Sequence, residues 1–435
     1  MKSDLLITDI CLPGKQGEPP IIENCCLTIN GDSVQQIGPA ADFDKVEAKA
    51  VINGRNQLAL PGLVNTHCHA AMTLFRGLAD DLELGQWLNE HIFPAEAKGV
   101  NPDMVYWCTK LAAAEMILSG TTTVADGYFH EHEAARAFAD AGMRAVAAQG
   151  VIDFPAPGVP DPADNIAAAD RFIDHWQDRN PLITPAVFAH SPYTCSGDTL
   201  QGAKELARTK GVPLFIHVAE SRYEPDMINN MQGGSPIRHL DALGILDPAT
   251  VCVHCVWADE EDMDILAERR ARIVVCPQSH LKLASGIAPL QTMLTKGIRV
   301  GLGTDGAASN NGLDMFQEMD ICAKIQKIRS LDPVAVPAAE ILKMATTGGA
   351  AVLGMEENIG TLGAGMKADV ILVNLNTPHL QPMHGADLLV YAADGADVQT
   401  VLINGKPVMQ DRELLSFDLS EAMQQVRRLS DNITP

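Results

Sequence analysis

Apolar residues come in short blocks along this chain, and the spacing of the blocks changes near Pro61. Before it, the runs DLLITDICL, NCCLTING, VQQIG and KAVINGRN are punctuated by Gly, Pro and Asn. Short runs between turn residues read as strands. After it, near-continuous apolar runs alternate with stretches whose apolar positions recur at helical spacing. The runs are PGLVNTH, 121–129, 143–153, 181–190, 212–220, 250–255, 271–277 and 298–306. Helices are predicted over 102–118, 131–141, 199–210, 235–243, 259–269, 287–296 and 314–329.

Eight strand–helix units over about 300 residues imply an α/β chain closed into a parallel (β/α)8 TIM barrel. Strands that are apolar on both faces agree, because a barrel strand is covered on both sides. Two more helices (337–346 and 347–353) precede a return to β character at 368–376 and 398–409, and a surface helix is predicted over 418–431. The expected organisation is a composite β-sandwich from residues 1–58 and 366–435, enclosing a barrel over 59–365.

Charge and composition narrow the function. Asp and Glu number 55 against 32 Lys and Arg, a net charge of −23. Such acidity disfavours nucleic acid and anionic membrane surfaces as partners. No apolar stretch reaches the ~18 uncharged residues of a membrane span. The opening MKSDLLITDI has the wrong order of charge and apolar run for a signal peptide. Ten cysteines without a framework spacing are expected as free thiols in a reducing cytoplasm. Cys252-x-x-Cys255 encloses His254 in a strand-like run and reads as strand rather than as a zinc or redox pair.

The candidate chemistry starts with His67 and His69, where the apolar run Leu58–Leu63 ends. Residues i and i+2 of a strand point the same way, so two imidazoles can grip one cation. Alone, such a pair is more often a surface or packed feature. Here it has company: His190, His217 with Glu220, His254 and Asp305 fall at the ends of later strands. Strand C-termini form the active face of a barrel. His67, His69, His217 and Asp305 offer three neutral ligands and one anion, a set that suits Zn2+, with Fe2+ as the alternative. A cation of this kind lowers the pKa of a bound water from 15.7 toward ~7. Glu220 is the candidate proton carrier, His254 the group that orients the water, and Asp305 a ligand that also accepts a proton. Strand 4 ends in His190 and holds no lysine to bridge a second metal, so a single ion is expected.

These residues, in PGLVNTHCH, HVAES, VHC and GTDGAASNNGLDMF, resemble the amidohydrolase superfamily over essentially the whole chain. HAAMTLFRGLADDLELGQWLNEHIFPAE, HSPYTCS and SHLKLASGIAP are similar to the 5′-methylthioadenosine/S-adenosylhomocysteine deaminases. The resemblance implies a hydrolytic deaminase of adenosine-type nucleosides and a homo-oligomer, a dimer or tetramer. It implies the metal ligands named above, Glu220 at the purine edge, His254 at the attacking water, Glu96 on the ribose hydroxyls and His190 near base and sugar. Without it, a solvated carboxylate at a polar helix start is the lesser reading of Glu96, and Trp87 reads as core. Two departures stand out. Gln149 occupies the position where relatives acting on S-adenosylhomocysteine carry an arginine, which favours methylthioadenosine or adenosine. His280 stands where an asparagine is expected. Deamination of another ring amine (aminotriazine, guanine or pterin) and a non-catalytic barrel scaffold are the competing readings.

Overall fold

The computed structural model describes residues 2–14, 19–228 and 230–431. Eight parallel strands form the barrel: Leu63–Cys68, Thr121–Tyr128, Arg144–Val151, Ile183–Ala189, Leu214–Val218, Thr250–His254, Arg272–Val275 and Val300–Leu302, neighbours in space in that order. The strand and helix expectations hold within a few residues. The helix Pro102–Leu118 starts where Asn101 accepts the Met104 N–H and Pro102 takes the first turn. The helix Glu131–Ala141 stops at Gly142, in the left-handed conformation.

The barrel interior is filled by small and branched side chains, among them Val64, Ala125, Val146, Ala148, Ala186, Val251, Val253 and Val274, with Phe188 and Phe215. Ala350, Val352 and Leu353 of the helix Thr347–Leu353 join the same cluster and plug one end. The seam between first and last strands is closed largely by polar contacts. Thr66 Oγ1 donates to Leu302 O (2.7 Å), Asn65 Nδ2 to Thr304 Oγ1 (2.7 Å), and Asp305 N to His67 O (3.1 Å). Glycine permits this approach: a Cβ on Gly301 would lie 2.7 Å from Thr66 Oγ1, and one on Gly303 2.9 Å from His67.

A second sheet is drawn from both ends of the chain. Strands Lys2–Pro13, Ile21–Asn30, Ser33–Pro39 and Glu47–Asn53 come from the N-terminal side. Val370–Asn374, Val398–Ile403, Lys406–Gln410 and Glu413–Leu414 come from the C-terminal side, and Gln57–Pro61 pairs antiparallel with Val370–Asn374. Leu5, Ile7, Leu27 and Ile29 share one buried cluster with Val370, Leu372 and Leu402, so the sheet folds over onto itself in the manner expected of a sandwich. Gln57–Pro61 straddles the expected boundary between 58 and 59. The stretch 398–409, read as one β run, is a hairpin. Asn404 (φ 52°) and Gly405 (φ 77°) make the two-residue turn that Asn-Gly favours.

Sheet and barrel are tied by a buried, two-pronged ion pair. Arg144 Nε and Nη2, at the start of the third barrel strand, donate to Asp369 Oδ2 (2.8 Å) and Oδ1 (3.1 Å). The sequence predicted no structure over 84–99. There the chain makes short helical turns, Leu84–Gln86, Trp87–Ile92 and Phe93–Gly99, beside the barrel mouth. Among the described residues no helix is long and apolar enough to cross a membrane.

Candidate active site

Side chains from the strand ends converge at the barrel mouth. One ring nitrogen from each of His67, His69 and His217 lies within 4.8 Å of the other two. Asp305 Oδ1 is 3.4 Å from His67 Nε2 and 3.5 Å from His69 Nε2. Three imidazoles and a carboxylate oxygen around one point fit a single divalent cation. Their surroundings fix the donors. His69 Nδ1 donates to Gly127 O at 2.5 Å, which leaves Nε2 as the free lone pair facing the cluster. Ser279 Oγ and the Gly306 N–H hold the two Asp305 oxygens at 2.7 and 2.8 Å. Burial pulls His69 down to about 4, so it stands neutral, as a ligand must. Burial pushes the Asp305 carboxyl up, but the adjoining His67, His69 and His254 outweigh it and hold it well below the usual carboxylate range.

The backbone is bent where it delivers these groups. Ala219 (φ 53°), His254 (φ 81°), Cys255 (φ 48°) and Asp305 (φ 60°) adopt the left-handed conformation at the ends of strands five, six and eight. Left-handed non-glycine residues gather at functional sites because surrounding structure must hold them. The kink at Ala219 is held by Glu224, whose Oε2 accepts the Glu220 N–H at 3.0 Å, and it turns Glu220 into the pocket. Glu220 Oε2 stands 3.6 Å from His254 Nε2. Burial, with the charges of Asp305 and Glu224, pushes the Glu220 carboxyl well up.

A pocket of about 790 Å³, its open mouth included, joins this cluster to an apolar wall. Its largely apolar lining suits a small organic ligand. Leu84, Trp87, Leu88, Ile92 and Phe93 line it, together with Glu96, Tyr128, Phe188, His190, Glu220, His254 and Leu283. Trp87 is thus both buried and pocket-lining. Glu96 is not a solvated carboxylate. It is 6% exposed, Tyr128 Oη donates to its Oε1 at 2.6 Å, and burial pushes it up to about 7. His190 packs against the His217 ring at 5.1 Å, with its Nδ1 2.9 Å from Thr194 Oγ1, and burial brings it down to about 3.

Gln149 is not brought into this constellation. Ala145, Ala147 and Val151 of the same strand pack in the helix-facing cluster, while Val146 and Ala148 face the barrel interior. Parity puts Gln149 on the helix-facing side, and its amide donates to Gly150 O at 3.3 Å. Sequence reasoning missed Tyr128, Ser279, Phe188 and the 84–93 wall. Tyr128 ends the second barrel strand, so the strand-end rule that found the histidines would have found it. Gly127 makes room for Phe188, since a Cβ there would sit 2.2 Å from that ring. His280, noted only as a departure, proves buried, with its Nε2 3.0 Å from His254 Nδ1.

Comparison with known proteins agrees with this geometry. The amidohydrolase family model matches residues 58–408. A 5-methylthioadenosine/S-adenosylhomocysteine deaminase from Syntrophus aciditrophicus is 47% identical over 414 residues, covering 95% of this chain and 93% of the relative. One from Syntrophobacter fumaroxidans is 47% identical over 412 residues, covering 94% and 93%. The zinc-bound crystal structure of an adenosine deaminase from Xanthomonas campestris superposes with a TM-score of 0.95 at 35% identity, covering 99% of each chain. The chain belongs to the amidohydrolase family, in its branch of 5-methylthioadenosine/S-adenosylhomocysteine deaminases.

Proposed function

We propose that this protein hydrolytically deaminates an adenosine-type nucleoside to the inosine analogue and ammonia, using one divalent metal ion. The carrying observation is that one pocket holds both the metal-ligand cluster and the buried Glu96–Tyr128 pair. His67, His69, His217 and Asp305 would hold the ion, zinc before iron(II) given the donor set and the zinc-bound relative. When bound, it supplies Lewis-acid activation of water. Burial alone favours the protonated acid, but beside the charge of a bound cation Glu220 would stand as a carboxylate, able to take the proton of the attacking water and deliver it to the purine ring nitrogen. His254 Nε2 faces the same space and stabilises charge on the incoming oxygen. Glu96 accepts charge-assisted hydrogen bonds from the ribose 2′ and 3′ hydroxyls, and Tyr128 holds it in place. His190 packs against the bound base and sugar.

The 5′ end meets Leu84, Leu88, Phe93 and Leu283, and among the described residues no arginine lines the pocket. Arg222 borders the adjoining outer cavity, where its guanidinium lies 4.6 Å over the Tyr223 ring. We therefore place methylthioadenosine and adenosine ahead of S-adenosylhomocysteine. This wall now supports that order, in place of Gln149. We also propose that residues 1–58 and 366–435 form one composite domain around the barrel of 59–365.

The test is steady-state kinetics of the zinc-loaded protein on adenosine, methylthioadenosine, S-adenosylhomocysteine, guanine and an aminotriazine. Turnover of the nucleosides, methylthioadenosine first, is expected. Turnover confined to guanine or the triazine would overturn the nucleoside reading, and a clear preference for S-adenosylhomocysteine would overturn the order.

A further inference from the structure

Behind the pocket two buried imidazoles are joined. His254 Nδ1 and His280 Nε2 lie 3.0 Å apart, and each residue is 2% exposed. The opposite nitrogen of His254, Nε2, faces the reaction space 3.6 Å from Glu220 Oε2. His280 does not line the pocket. It sits on the helix Pro277–Lys282, next to Ser279, which holds Asp305.

One proton lies in such a nitrogen–nitrogen hydrogen bond, so the donating ring decides which face of its partner carries the N–H. If His254 donates from Nδ1, its Nε2 lone pair faces the Glu220 carboxylate, acceptor against acceptor. If His280 donates, the His254 Nε2–H points at that carboxylate and both contacts are satisfied. We infer that His280 is a positioning residue, donating its Nε2–H to His254 Nδ1 and so fixing His254 as the Nε2–H tautomer. His254 is then a hydrogen-bond donor into the pocket and takes no proton. Proton transfer is left to the carboxylates Glu220 and Asp305, and His254 supplies the donor for charge building on the incoming oxygen. The inference rests on the proposed function in one respect, that Glu220 starts as a carboxylate, which its burial opposes and the charge of a bound divalent cation favours.

Two measurements test it. Long-range 1H–15N spectra of the zinc-loaded, 15N-histidine-labelled protein report the tautomer directly, with His254 assigned by its loss in His254→Gln. The Nε2–H form is expected, and the Nδ1–H form overturns the inference whatever the substrate proves to be. The kinetic arm compares His280→Asn, whose amide still donates, with His280→Leu, which cannot. His280→Leu is expected to lower kcat ~10- to 100-fold with KM within about threefold, and His280→Asn to stay within about threefold of wild type in both. Unchanged kcat in His280→Leu, or equal loss in both variants, overturns it. A protein inactive on every nucleoside but showing His254 as Nε2–H would fail the proposed function and leave this inference standing.

Discussion

His67, His69, His217 and Asp305 sit on or beside the ends of hydrogen-bonded barrel strands, whereas Glu96 sits on the short helix Phe93–Gly99, reached through a run of tight turns. The two walls of the pocket are held differently. In the metal-facing wall the parallel ladder sets each Cα, and side-chain hydrogen bonds from Ser279 and to Gly127 set the donor atoms. In the other wall, apolar packing of Leu84, Trp87 and Ile92 sets the backbone, and one tether from Tyr128 aims the carboxylate. Chemistry that needs fixed coordination geometry is carried by the sheet. In the proposed function, substrate reading falls to a segment that can change without disturbing the ladder.

Experiments can sharpen or break this contrast. The largest effect is expected in the strand-borne wall. His217→Ala, or a chelator on the wild type, abolishes turnover, and zinc stoichiometry by metal analysis falls with it. Retained zinc and activity in His217→Ala would remove that residue from the ligand set. Glu220→Gln comes next: kcat falls ~10²–10⁴-fold while the metal stays bound, since only proton transfer is lost. Near-normal turnover would take Glu220 out of the shuttle role.

The turn-borne wall answers differently. Glu96→Gln removes a charged acceptor, about 1.5–3 kcal/mol or roughly 10- to 100-fold in kcat/KM on ribosides, with zinc content unchanged. An equal loss on a 2′,3′-dideoxy substrate would show that Glu96 does not read the diol. Acidity gives a smaller effect of the same origin. Burial raises Glu96 to about 7, so falling pH neutralises it in the free enzyme and weakens its hold on the hydroxyls. The kcat/KM for ribosides is expected to decline below pH 7 through this group. That limb should be absent in Glu96→Gln and for the dideoxy substrate. Outside both walls, Arg144→Leu leaves Asp369 buried without its partner, and about 3–5 kcal/mol of stability should be lost in chemical unfolding. Its kcat at low temperature should stay near wild type, the smallest change in turnover, and a large fall would mean that the sheet positions the site.

The strand-borne wall was legible in the sequence, and the turn-borne wall was not. His67, His69, His217, His254 and Asp305 follow apolar runs whose length and spacing reveal strands, so being last on a strand was itself the signal. The 84–99 stretch has no clean period, and its turns form only because Trp87 and Ile92 find the core. Glu96 was named through resemblance; its burial and its Tyr128 partner were not foreseeable, since the two lie 32 residues apart. Gln149 shows the opposite case. A sequence position next to the pocket said nothing of direction, and one step of strand parity sends its side chain toward the helices.

The sequence by itself determined the alternation of strand and helix, the eight-fold count, the β character of both chain ends and the set of metal-capable residues. These follow from local periodicity and from residue chemistry, which need no partner to be read. Tertiary structure alone decided which nitrogen of His69 is free, where the backbone bends at Ala219 and Asp305, and that His280 stands behind His254. Each depends on a contact between strands or loops far apart in the chain, where distance and angle set the chemistry and sequence order carries no record of either.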